Sequence, residues 1–549
     1  MNTTSTLEAP RASAELLLGD EAVALGALHA GISNAYAYPG TPSTEIFERL
    51  HEEAQRIQGV TAHWSANEKC AMEEALGATL AGRRALVTMK HVGLNVAADP
   101  FVNSALVALG GGLVVAVADD PGMHSSQNEQ DSRFYADFAR VPCLEPATTE
   151  EAYSMTREAF DLSERFRVPV VLRLVTRLCH ERGAVRMSAP RARNPIAKAG
   201  PRQDWVLLPG NSRRLWSRLL EAQPAMRAWS EGSPHNVRAP GEGRLGVITA
   251  GIARNYYAEN LEELSFEPSH LHIGAYPVPA AKVRALVGHV QAVLVLEEGY
   301  PFVERMLRGL LAPPIPVHGK ESGALPADGE LTPDLVRAAL GLPARPGRAA
   351  AGLPLPPRPP QLCAGCPHAD TFDALRIALE GIARPVVTSD IGCYALGALP
   401  PYNAIESCVC MGASVGMAKG ASDAGLRPAV GVVGDSTFLH SGVTPLMDAA
   451  ASDADMTLVI VDNETIAMTG GQPTVLPPSR LEGVVRGIGV DPAHVHVLEA
   501  HHRHTAANAA VLRREIEHHG LSVVIMVREC IETAAIRARD RKAKDAPPA

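Results

Sequence analysis

The chain has 549 residues, of which 46% are hydrophobic and 20% charged, and its formal net charge is −9. This composition excludes a disordered chain, and the negative charge argues against nucleic acid as a partner. Nine cysteines are too few for a disulfide scaffold, and the sequence contains neither an apolar run of roughly 18 residues nor a signal peptide, so we expect a cytoplasmic protein with no membrane partner.

Short apolar runs recur along the chain and predict buried β-strands. The runs are continuous rather than alternating, which is typical of parallel strands covered by helices on both faces. In chain order the predicted strands are residues 85–90, 113–118, 169–175, 245–250, 292–297, 386–389, 429–433, 457–461 and 522–527. The intervening stretches, for example 66–80 and 413–423, predict crossover helices. The predicted fold class is therefore α/β, built from several parallel sheets.

Two changes in composition predict domain boundaries. Residues 191–243 mix Pro, Gly, Arg and Trp without periodicity and are predicted to be a connector or insertion. Residues 341–361 are rich in Pro, Ala and Gly, which predicts a stiff linker. We therefore expect modules at 12–190, 240–340 and 362–535, followed by a charged, fraying tail at 536–549.

Asn67 and Glu68 precede the predicted helical run 69–80. A carboxylate at a helix start complements the helix dipole, and taken alone this ordinary interpretation is favoured. Thiamine enzymes also need a carboxylate against the pyrimidine ring of their cofactor. Glu68 becomes a candidate for that role only if other motifs point to such an enzyme.

Cys363 and Cys366 have the spacing of metal ligands, and Cys393 follows in the same module. The pattern predicts a zinc ion or an iron–sulfur cluster. The fourth thiolate would come from Cys408, Cys410 or Cys530. A loop of packed or free cysteines remains the alternative. No C-x₂-C-x₂-C-x₃-C-P run occurs, so a two-cluster ferredoxin domain is not expected.

The segment Gly434-Asp435-Ser436 follows one predicted strand, and Asn463 follows the next. Ligands bind at the carboxyl ends of parallel strands, and Mg²⁺ prefers carboxylate and amide oxygens. Gly434 allows close approach of a diphosphate, and the helix after Thr437 offers free N–H groups. The layout is that of the thiamine diphosphate motif, with Ser436 in place of its second glycine; a strand-end turn is the alternative.

A stripe of glycines lies just upstream of that motif. Gly412, Gly416 and Gly420 recur every four residues in the segment 411–420, and on a helix they would share one face. The stripe indicates either close helix packing or a backbone that opens toward the cofactor, and both interpretations can hold.

Seven segments, in order along the chain, carry a family resemblance. They are AYPGTPSTEI at 37–46, WSANEK at 64–69, MKHVGLNVAADP at 89–100, ADDPGMHSSQNEQD at 118–131, CAGCPH at 363–368, GDSTFLHSG at 434–442 and DNETIAMTGGQP at 462–473. Together they resemble the large (alpha) subunit of the indolepyruvate ferredoxin oxidoreductases, a group of thiamine diphosphate-dependent 2-oxoacid oxidoreductases. The resemblance covers nearly the whole chain.

The resemblance implies thiamine diphosphate and Mg²⁺ as cofactors. It assigns Glu68 to activation of the aminopyrimidine, Thr41 to the neighbourhood of the reacting carbon, and His91, with the loop 124–131, to the site wall. It assigns Asp435, Asn463 and the backbone oxygen of Thr465 to Mg²⁺. The other implied cofactor contacts are Gly392, Cys393, Met411, Gly412, Ala413, Gly434, Ser436, Thr437 and Ile466.

The family also implies an architecture, partners and a reaction. A pyrimidine-binding domain (12–190), a transketolase-C-like domain (240–340) and a diphosphate-binding domain (362–535) would follow one another. Two copies of this chain would form a homodimer within a hetero-oligomer that includes a separate small beta subunit. The implied reaction is oxidative decarboxylation of an aryl-pyruvate with coenzyme A, which gives the aryl-acetyl-CoA and passes electrons to an acceptor that the sequence does not identify.

Two departures from the family pattern matter. Typical alpha subunits end in a ferredoxin-like domain with two clusters, and this chain shows none, so electrons are expected to leave through one [4Fe–4S] cluster at Cys363, Cys366, Cys393 and Cys530 or through a partner. The usual Thr-Gly-His-Gln-Pro has Gly471 in place of the histidine. A non-redox thiamine-dependent decarboxylase or carboligase, and a catalytically silent scaffold, remain as alternatives.

Overall fold

The computed structural model describes residues 14–205, 207–308, 315–320, 322–326, 329–345, 361–383, 385–408, 411–423 and 427–544. The chain divides into two compact units, Met1–Ala349 and Ala350–Ala549. This division falls in the predicted linker 341–361, of which residues 346–360 lie outside the described residues. Each predicted strand occurs in the structure, and the predicted α/β class is confirmed.

The first unit contains three sheets and the helices that cover them. Its strands are β1 (Glu15–Leu18), β2 (Asn34–Ala37), β3 (Thr61–Trp64), β4 (Ala85–Lys90), β5 (Leu113–Asp119), β6 (Cys143–Leu144), β7 (Val170–Val175), β8 (Arg182–Val185), β9 (Arg238–Ala239), β10 (Glu242–Ala250), β11 (Pro268–Ile273), β12 (Ala275–Tyr276), β13 (Val293–Leu296) and β14 (Val317–His318). Its helices are α1 (Gly19–His29), α2 (Thr44–Arg56), α3 (Glu68–Leu80), α4 (His91–Val96), α5 (Ala98–Ser104), α6 (Arg133–Ala139), α7 (Thr149–Phe166), α8 (Thr176–His180), α9 (Pro209–Gly232), α10 (Ala253–Leu261), α11 (Ala280–Val287), α12 (Phe302–Arg308) and α13 (Pro333–Ala339).

The largest sheet of this unit has the strand order β12-β6-β7-β5-β4-β2-β3, and all neighbours except β12 and β6 are parallel. Strands β5 and β7 are buried along their whole length, as their continuous apolar sequences predict. The carboxyl ends of β2, β3, β4 and β5 therefore lie along one edge. The second sheet has the order β14-β13-β10-β11-β9, and β1 pairs with β8.

The predicted modules 12–190 and 240–340 belong to the same compact unit. Strand β12, which lies in the predicted module 240–340, extends the largest sheet by pairing with β6. Buried polar contacts reinforce this pairing: the Arg173 guanidinium donates to the carbonyl of Glu298 at 3.2 Å, and the Arg133 guanidinium forms an ion pair with Glu297 at 3.0 Å. Loss of one partner from such a pair costs about 3–5 kcal/mol, because the remaining charge stays buried.

The segment 191–243, predicted to be a connector or insertion because it shows no periodicity, contains a long regular helix. Helix α9 occupies Pro209–Gly232 and continues past Pro224. Its buried residues Leu215, Leu219 and Met226 form a stripe at helical spacing. The stripe is narrow and lies among Arg, Gly and Trp residues, which concealed the period in the sequence.

The second unit is a single parallel sheet with helices. Its strands are β15 (Val386–Ser389), β16 (Ala429–Gly434), β17 (Met456–Asp462), β18 (Val495–Glu499) and β19 (Leu521–Val527), in the order β15-β16-β17-β19-β18. Its helices are α14 (Pro367–Leu379), α15 (Ala413–Asp423), α16 (Asp435–Thr437), α17 (Val443–Ala451), α18 (Leu481–Ile488), α19 (Thr505–Glu517) and α20 (Ile531–Lys544), and a π-helical turn, Phe438–Gly442, joins α16 to α17.

The C-terminal segment is more regular than predicted. The expected fraying tail 536–549 instead continues α20 as far as Lys544, and residues 545–549 lie outside the described residues. Among the helices that the structure describes, none has the length and apolarity to cross a bilayer.

Candidate active site

In the second unit, polar side chains converge at the carboxyl ends of two neighbouring strands. Asp435 directly follows β16, and Asn463 directly follows β17. The two strands are parallel, with Gly434 paired to Val461, so both side chains lie at one edge of the sheet. Asp435 and Asn463 are 5% and 4% exposed. The predicted magnesium ligands are thus buried side by side where this fold places ligands.

A second carboxylate, which sequence reasoning did not single out, lies against Asp435. Asp462 is the last residue of β17 and interacts directly with Asp435. The Oδ2 atoms of both carboxylates are buried without a hydrogen-bond partner. Burial raises the pKa of Asp435 well above its usual range, and the neighbouring Asp462 raises it further. Asp435 and Asp462, called the acidic pair below, fit a divalent cation, because the ion would offset the free-energy cost of burying two carboxylates with unpartnered oxygens.

The loop after Asn463 is closed by its own hydrogen bonds. The Asn463 side-chain oxygen accepts the N–H of Thr465 at 3.4 Å, and the Thr465 hydroxyl donates to the carbonyl of Gln472 at 3.0 Å. The N–H of Ile466 donates to the same carbonyl at 2.9 Å. Gly471 lies in the turn with φ +86°, a conformation that residues with a Cβ rarely adopt. The departure at Gly471 therefore has a backbone reason here.

Glycines upstream of the acidic pair allow the backbone to pack closely. A Cβ at Gly392 would lie 2.2 Å from the ring of Tyr394, and one at Gly434 would lie 2.6 Å from the same ring. Gly412 has φ +83°, and a Cβ there would lie 2.7 Å from Ser441. These three glycines are thus required by packing alone, whatever ligand they approach.

The rest of the glycine stripe behaves differently. A Cβ at Gly416 or Gly420 would meet no atom of the described residues within 4 Å. The prediction that the stripe packs closely against another helix is therefore wrong for these two positions. Helix α15 begins at Ala413, after the half-buried Met411, and the N–H of Ser414 in its first turn donates to Asp390, which directly follows β15.

Asp390, which was not predicted as a site residue, holds these segments together. Its carboxylate accepts hydrogen bonds from the Tyr394 hydroxyl and from Ser414, whose N–H and hydroxyl lie at 3.1 and 2.5 Å. Burial raises the pKa of Asp390 to about 6, and these hydrogen bonds act in the opposite direction. The Thr437 hydroxyl donates to the carbonyl of Ile391 at 3.0 Å. The ends of β15 and β16 and the start of α15 are thereby fixed together.

The motif residue Ser436 supports the acidic pair through its backbone. Its N–H donates to the Oδ1 of Asp435 at 2.8 Å. This bond leaves the Oδ2 atom of Asp435, the one without a partner, as the free ligand position.

Four cysteines of the second unit lie close to one another. Burial, together with the neighbouring thiols of Cys366, Cys530 and Cys363, raises the pKa of the Cys393 thiol to about 12. Of the three candidates for the fourth thiolate, the structure brings Cys530 to the others; Cys408 interacts with Asp390, and Cys410 lies outside the described residues. The N–H of Cys530 donates to the carbonyl of Asn463 at 3.0 Å, so this group adjoins the acidic pair.

The spacing of these sulfurs restricts what they can bind. Among the described residues no three of them lie within 4.8 Å of one another. A tetrahedral zinc site with Zn–S bonds of about 2.3 Å needs sulfurs about 3.8 Å apart. The sulfurs are thus spaced more widely here than the four ligands of one zinc ion.

His368 is another site residue that sequence reasoning missed. It follows Cys366 and Pro367, is buried, and neither ring nitrogen has a hydrogen-bond partner. Burial lowers its pKa to about 4, so the ring is neutral near pH 7. Its ring centroid lies 6.0 Å from that of Tyr394. A buried, unpartnered imidazole between the cysteines and the glycines is available to a ligand.

In the first unit, Glu68 is the first residue of α3 and is 6% exposed. Asn67 caps the helix by accepting the N–H of Cys70 at 2.9 Å, which fixes where the helix begins. The Glu68 carboxylate lies over Gly93 of α4, where a Cβ would be 2.6 Å from its Oε1. The absence of a side chain at Gly93 therefore makes room for the carboxylate.

Thr41 lies in the loop between β2 and α2, at the same edge of the sheet as Glu68. Its carbonyl accepts the hydroxyl of Ser125 at 3.4 Å, and the Lys90 ammonium donates to the carbonyl of Ser125 at 3.1 Å. Asp120 in turn accepts the N–H of Ser125 at 2.8 Å. The predicted wall loop 124–131 is thus held next to Thr41 by its own polar contacts.

His91, also predicted for the site wall, is the first residue of α4 and is buried. Its Nε2 lies 3.1 Å from the carbonyl of Asn128 in the wall loop, and its Nδ1 has no hydrogen-bond partner. Burial lowers its pKa. One ring nitrogen is therefore used to hold the loop, and the other is open to a ligand.

Comparison with family models assigns both regions to thiamine enzymes. Residues 25–204 match the model described as "Pyruvate flavodoxin/ferredoxin oxidoreductase, thiamine diP-bdg". Residues 390–526 match the model described as "Thiamine pyrophosphate enzyme, C-terminal TPP binding domain". The second range contains Gly392, the glycine-rich segment and the acidic pair.

Similar proteins extend over nearly the whole chain. The indolepyruvate oxidoreductase subunit IorA of Archaeoglobus fulgidus is 39% identical over 96% of this chain and 88% of its own length. The subunit of the same name from Methanothermobacter thermautotrophicus is 37% identical over 95% of this chain and 88% of its own length. A solved 2-oxoglutarate:ferredoxin oxidoreductase from Magnetococcus marinus has a TM-score of 0.50 and 16% identity, covering 60% of this chain and 65% of that one. That last likeness concerns the fold alone.

Proposed function

This chain belongs to the family of the indolepyruvate oxidoreductase IorA subunits, and from that premise we propose that it oxidatively decarboxylates an aryl-pyruvate. It is an oxidoreductase of the 2-oxoacid class, which sets aside the non-redox and scaffold alternatives. The proposal depends chiefly on the 39% identity over 96% of the chain. The aryl-pyruvate anion and the thiol of coenzyme A would give the aryl-acetyl-CoA, carbon dioxide, two electrons and one proton.

The diphosphate side of the site is proposed to lie in the second unit. Asp435, Asn463 and the backbone oxygen of Thr465 would hold Mg²⁺, and we add Asp462 because its unpartnered oxygen lies against Asp435. The N–H groups of the helix after Thr437 would bind the diphosphate, and Met411, Gly412 and Ala413 would contact the cofactor. Thiamine diphosphate supplies, when bound, the electron sink that lets a 2-oxoacid lose carbon dioxide.

The pyrimidine side is proposed to lie in the first unit. Glu68 would hold a proton at a ring nitrogen of the aminopyrimidine, since a buried carboxylate is the group that can exchange one there. Thr41 would lie near the reacting carbon, and His91 would position the wall loop through Asn128. Residues 12–190, 240–340 and 362–535 would be the pyrimidine-binding, transketolase-C-like and diphosphate-binding domains.

The assembly proposed is a homodimer of this chain with a separate small subunit. The relatives are named as single subunits of an oxidoreductase, which supports a second polypeptide. In such enzymes the two thiamine domains meet across copies of the chain, so the isolated monomer should be inactive.

The substrate is tested by anaerobic dye reduction with the co-expressed small subunit. Indolepyruvate and phenylpyruvate are compared with pyruvate, 2-oxoisovalerate and 2-oxoglutarate in the presence of coenzyme A and a viologen dye. We expect kcat/KM to be at least about tenfold higher for the aryl-pyruvates, the discrimination that a fitted apolar pocket provides. Preference for an aliphatic oxoacid would overturn the substrate, and release of an aldehyde without dye reduction would overturn the reaction.

The cysteine group is proposed to hold one [4Fe–4S] cluster, which accepts electrons one at a time. We expect about four irons and four acid-labile sulfides per chain in anaerobically purified protein, and an EPR signal after reduction. Replacing Cys393→Ser should remove the signal and most of the iron. The matched control is Cys408→Ser, which changes a cysteine outside the group and should keep both. Iron-free wild-type protein, or equal iron in the two variants, would contradict the assignment.

A further inference from the structure

The first unit contains three potential metal ligands that the proposed reaction does not use. One carboxylate oxygen from each of Asp20 and Glu45 and one ring nitrogen of His180 all lie within 4.8 Å of one another. Asp20 is in the first turn of α1, Glu45 in the first turn of α2, and His180 at the end of α8. Three separate elements thus direct ligand atoms to one point.

Asp20 has no partner that explains its position. It is 0% exposed, and neither carboxylate oxygen accepts a hydrogen bond from an N–H or O–H group of the described residues. The thiol of Cys179, a weak donor, lies beside it. The charged side chains that act on it most, Glu45 and Glu21, are both acidic, and burial raises the pKa of Asp20 well above its usual range. A cation is the group that this position lacks.

Glu45 and His180 lie close to each other but are not hydrogen-bonded. The Glu45 Oε2 is buried without a partner, and its Oε1 lies 4.0 Å from the Nε2 of His180, too far for a hydrogen bond. The side chain of His180 is 44% exposed, and it lines an open cavity of about 580 Å³. An ion and its water ligands can therefore enter from the cavity side.

We propose that Asp20, Glu45 and His180 bind one transition-metal dication, of which Zn²⁺ is the best match. Two carboxylate oxygens and one imidazole nitrogen suit zinc, whereas Mg²⁺ takes oxygen ligands only and keeps several waters. Water would complete the coordination. The inference is independent of the thiamine reaction, because none of the three residues belongs to the acidic pair, the glycines or Glu68.

The ion would have a structural consequence close to the pyrimidine side. It would join the starts of α1 and α2 to the end of α8. Helix α2 directly follows the loop that carries Thr41, and Glu45 is four residues beyond it. The metal would thus stabilise the base of that loop.

The test measures bound zinc in the full chain. The Cys363→Ser/Cys366→Ser protein, saturated with thiamine diphosphate and Mg²⁺, is dialysed against buffered Zn²⁺ and analysed by mass spectrometry, so that the cysteine group and the acidic pair add no zinc. We expect one zinc per chain in this parent and none in Asp20→Asn. For His180→Gln, whose side chain is partly exposed and whose replacement should fold, we expect at least about tenfold weaker binding.

Matched controls carry the same substitutions at exposed positions. Glu52→Gln lies on α2, the same helix as Glu45, and His63→Gln lies on β3; both should keep the parent's zinc. Glu45→Gln, in contrast, should lose it. Cobalt bound to the parent should give a visible d–d spectrum that His180→Gln changes. Equal zinc in the parent, Asp20→Asn and His180→Gln, or full displacement of the zinc by millimolar Mg²⁺, would overturn the site.

Discussion

Replacing Asp435→Asn should nearly abolish turnover and, at the same time, raise the thermal stability of the cofactor-free protein. Turnover should fall at least about 100-fold, because loss of a direct ligand exceeds the 10–100-fold effect of removing a group that only supports one. Stability should rise because Asp435 and Asp462 are buried together with unpartnered oxygens, so the folded protein must either hold both charges or take up a proton, and the amide removes that cost. Activity assays and thermal unfolding, each with and without Mg²⁺ and thiamine diphosphate, measure the two effects.

The stability effect should depend on pH in a defined direction. The folded-state pKa of Asp435 is raised, so above about pH 4 the folded cofactor-free protein holds a proton that the unfolded chain has lost. Its contribution to stability therefore decreases as pH rises from that value through the folded pKa. The wild-type Tm should fall relative to that of Asp435→Asn as the pH rises above about 4.

The control for this substitution is Asp448→Asn. Asp448 is an exposed carboxylate on α17, the helix that follows the motif, so turnover and cofactor response should stay unchanged. Equal turnover of Asp435→Asn and wild type would show that Asp435 is not a ligand of the catalytic Mg²⁺. Equal Tm values at every pH would show that the acidic pair is already compensated within the protein.

The sequence predicts the central strands well because burial on both faces leaves a continuous apolar run. Strands β4 and β15 have the predicted bounds, β5 and β16 are one residue longer at one end, and β17 is one residue longer at each end. The strands that were missed, such as β3 and β18, are half exposed at sheet edges. In each of them, more exposed and less exposed side chains alternate over only four or five residues. So short an alternation does not stand out from a loop.

The candidate site was predicted as far as local motifs extend. Asp435 and Asn463 could be found because each directly follows a predicted strand. Asp462 escaped because, as the last residue of a buried strand, it does not differ in pattern from a strand end, and its importance comes only from contact with Asp435 across two strands. Asp390 and His368 were missed for a similar reason. Asp390 matters because it is buried and accepts several hydrogen bonds, and His368 because it is buried without a hydrogen-bond partner. Neither property can be inferred from the spacing of residues in the sequence.

The three potential metal ligands of the first unit, Asp20, Glu45 and His180, illustrate the same limit. Asp20 and His180 are 160 residues apart, on helices that no motif connects. Only the packing of α1 against α8, where a Cβ at Gly19 would lie 2.0 Å from the carbonyl of Leu178, brings them together. Sites built from such distant pairs follow from the fold and cannot be read from spacing.

Replacing Glu68→Gln should reduce kcat by about 10²- to 10⁴-fold while the affinity for thiamine diphosphate changes little. The amide keeps the size of the side chain but cannot exchange a proton, and that range is the usual contribution of a general acid or base. Steady-state kinetics and calorimetric titration with the cofactor separate the two quantities. Glu73→Gln, an exposed carboxylate on the same helix, is the matched control and should stay within about twofold of wild type. Unchanged kcat in Glu68→Gln would assign the proton transfer to another group.

A second variant tests the position of that carboxylate without altering it. In Gly93→Ala the added Cβ would lie 2.6 Å from the Oε1 of Glu68, so the carboxylate must move. We expect a loss of kcat that approaches that of Glu68→Gln, although Gly93 carries no functional group itself. Gly77→Ala, on α3 with no atom of the described residues within 4 Å of its Cβ, should keep full activity. If both alanine variants were equally active, the carboxylate would act from a different place than over α4, because only its position links Gly93 to the reaction.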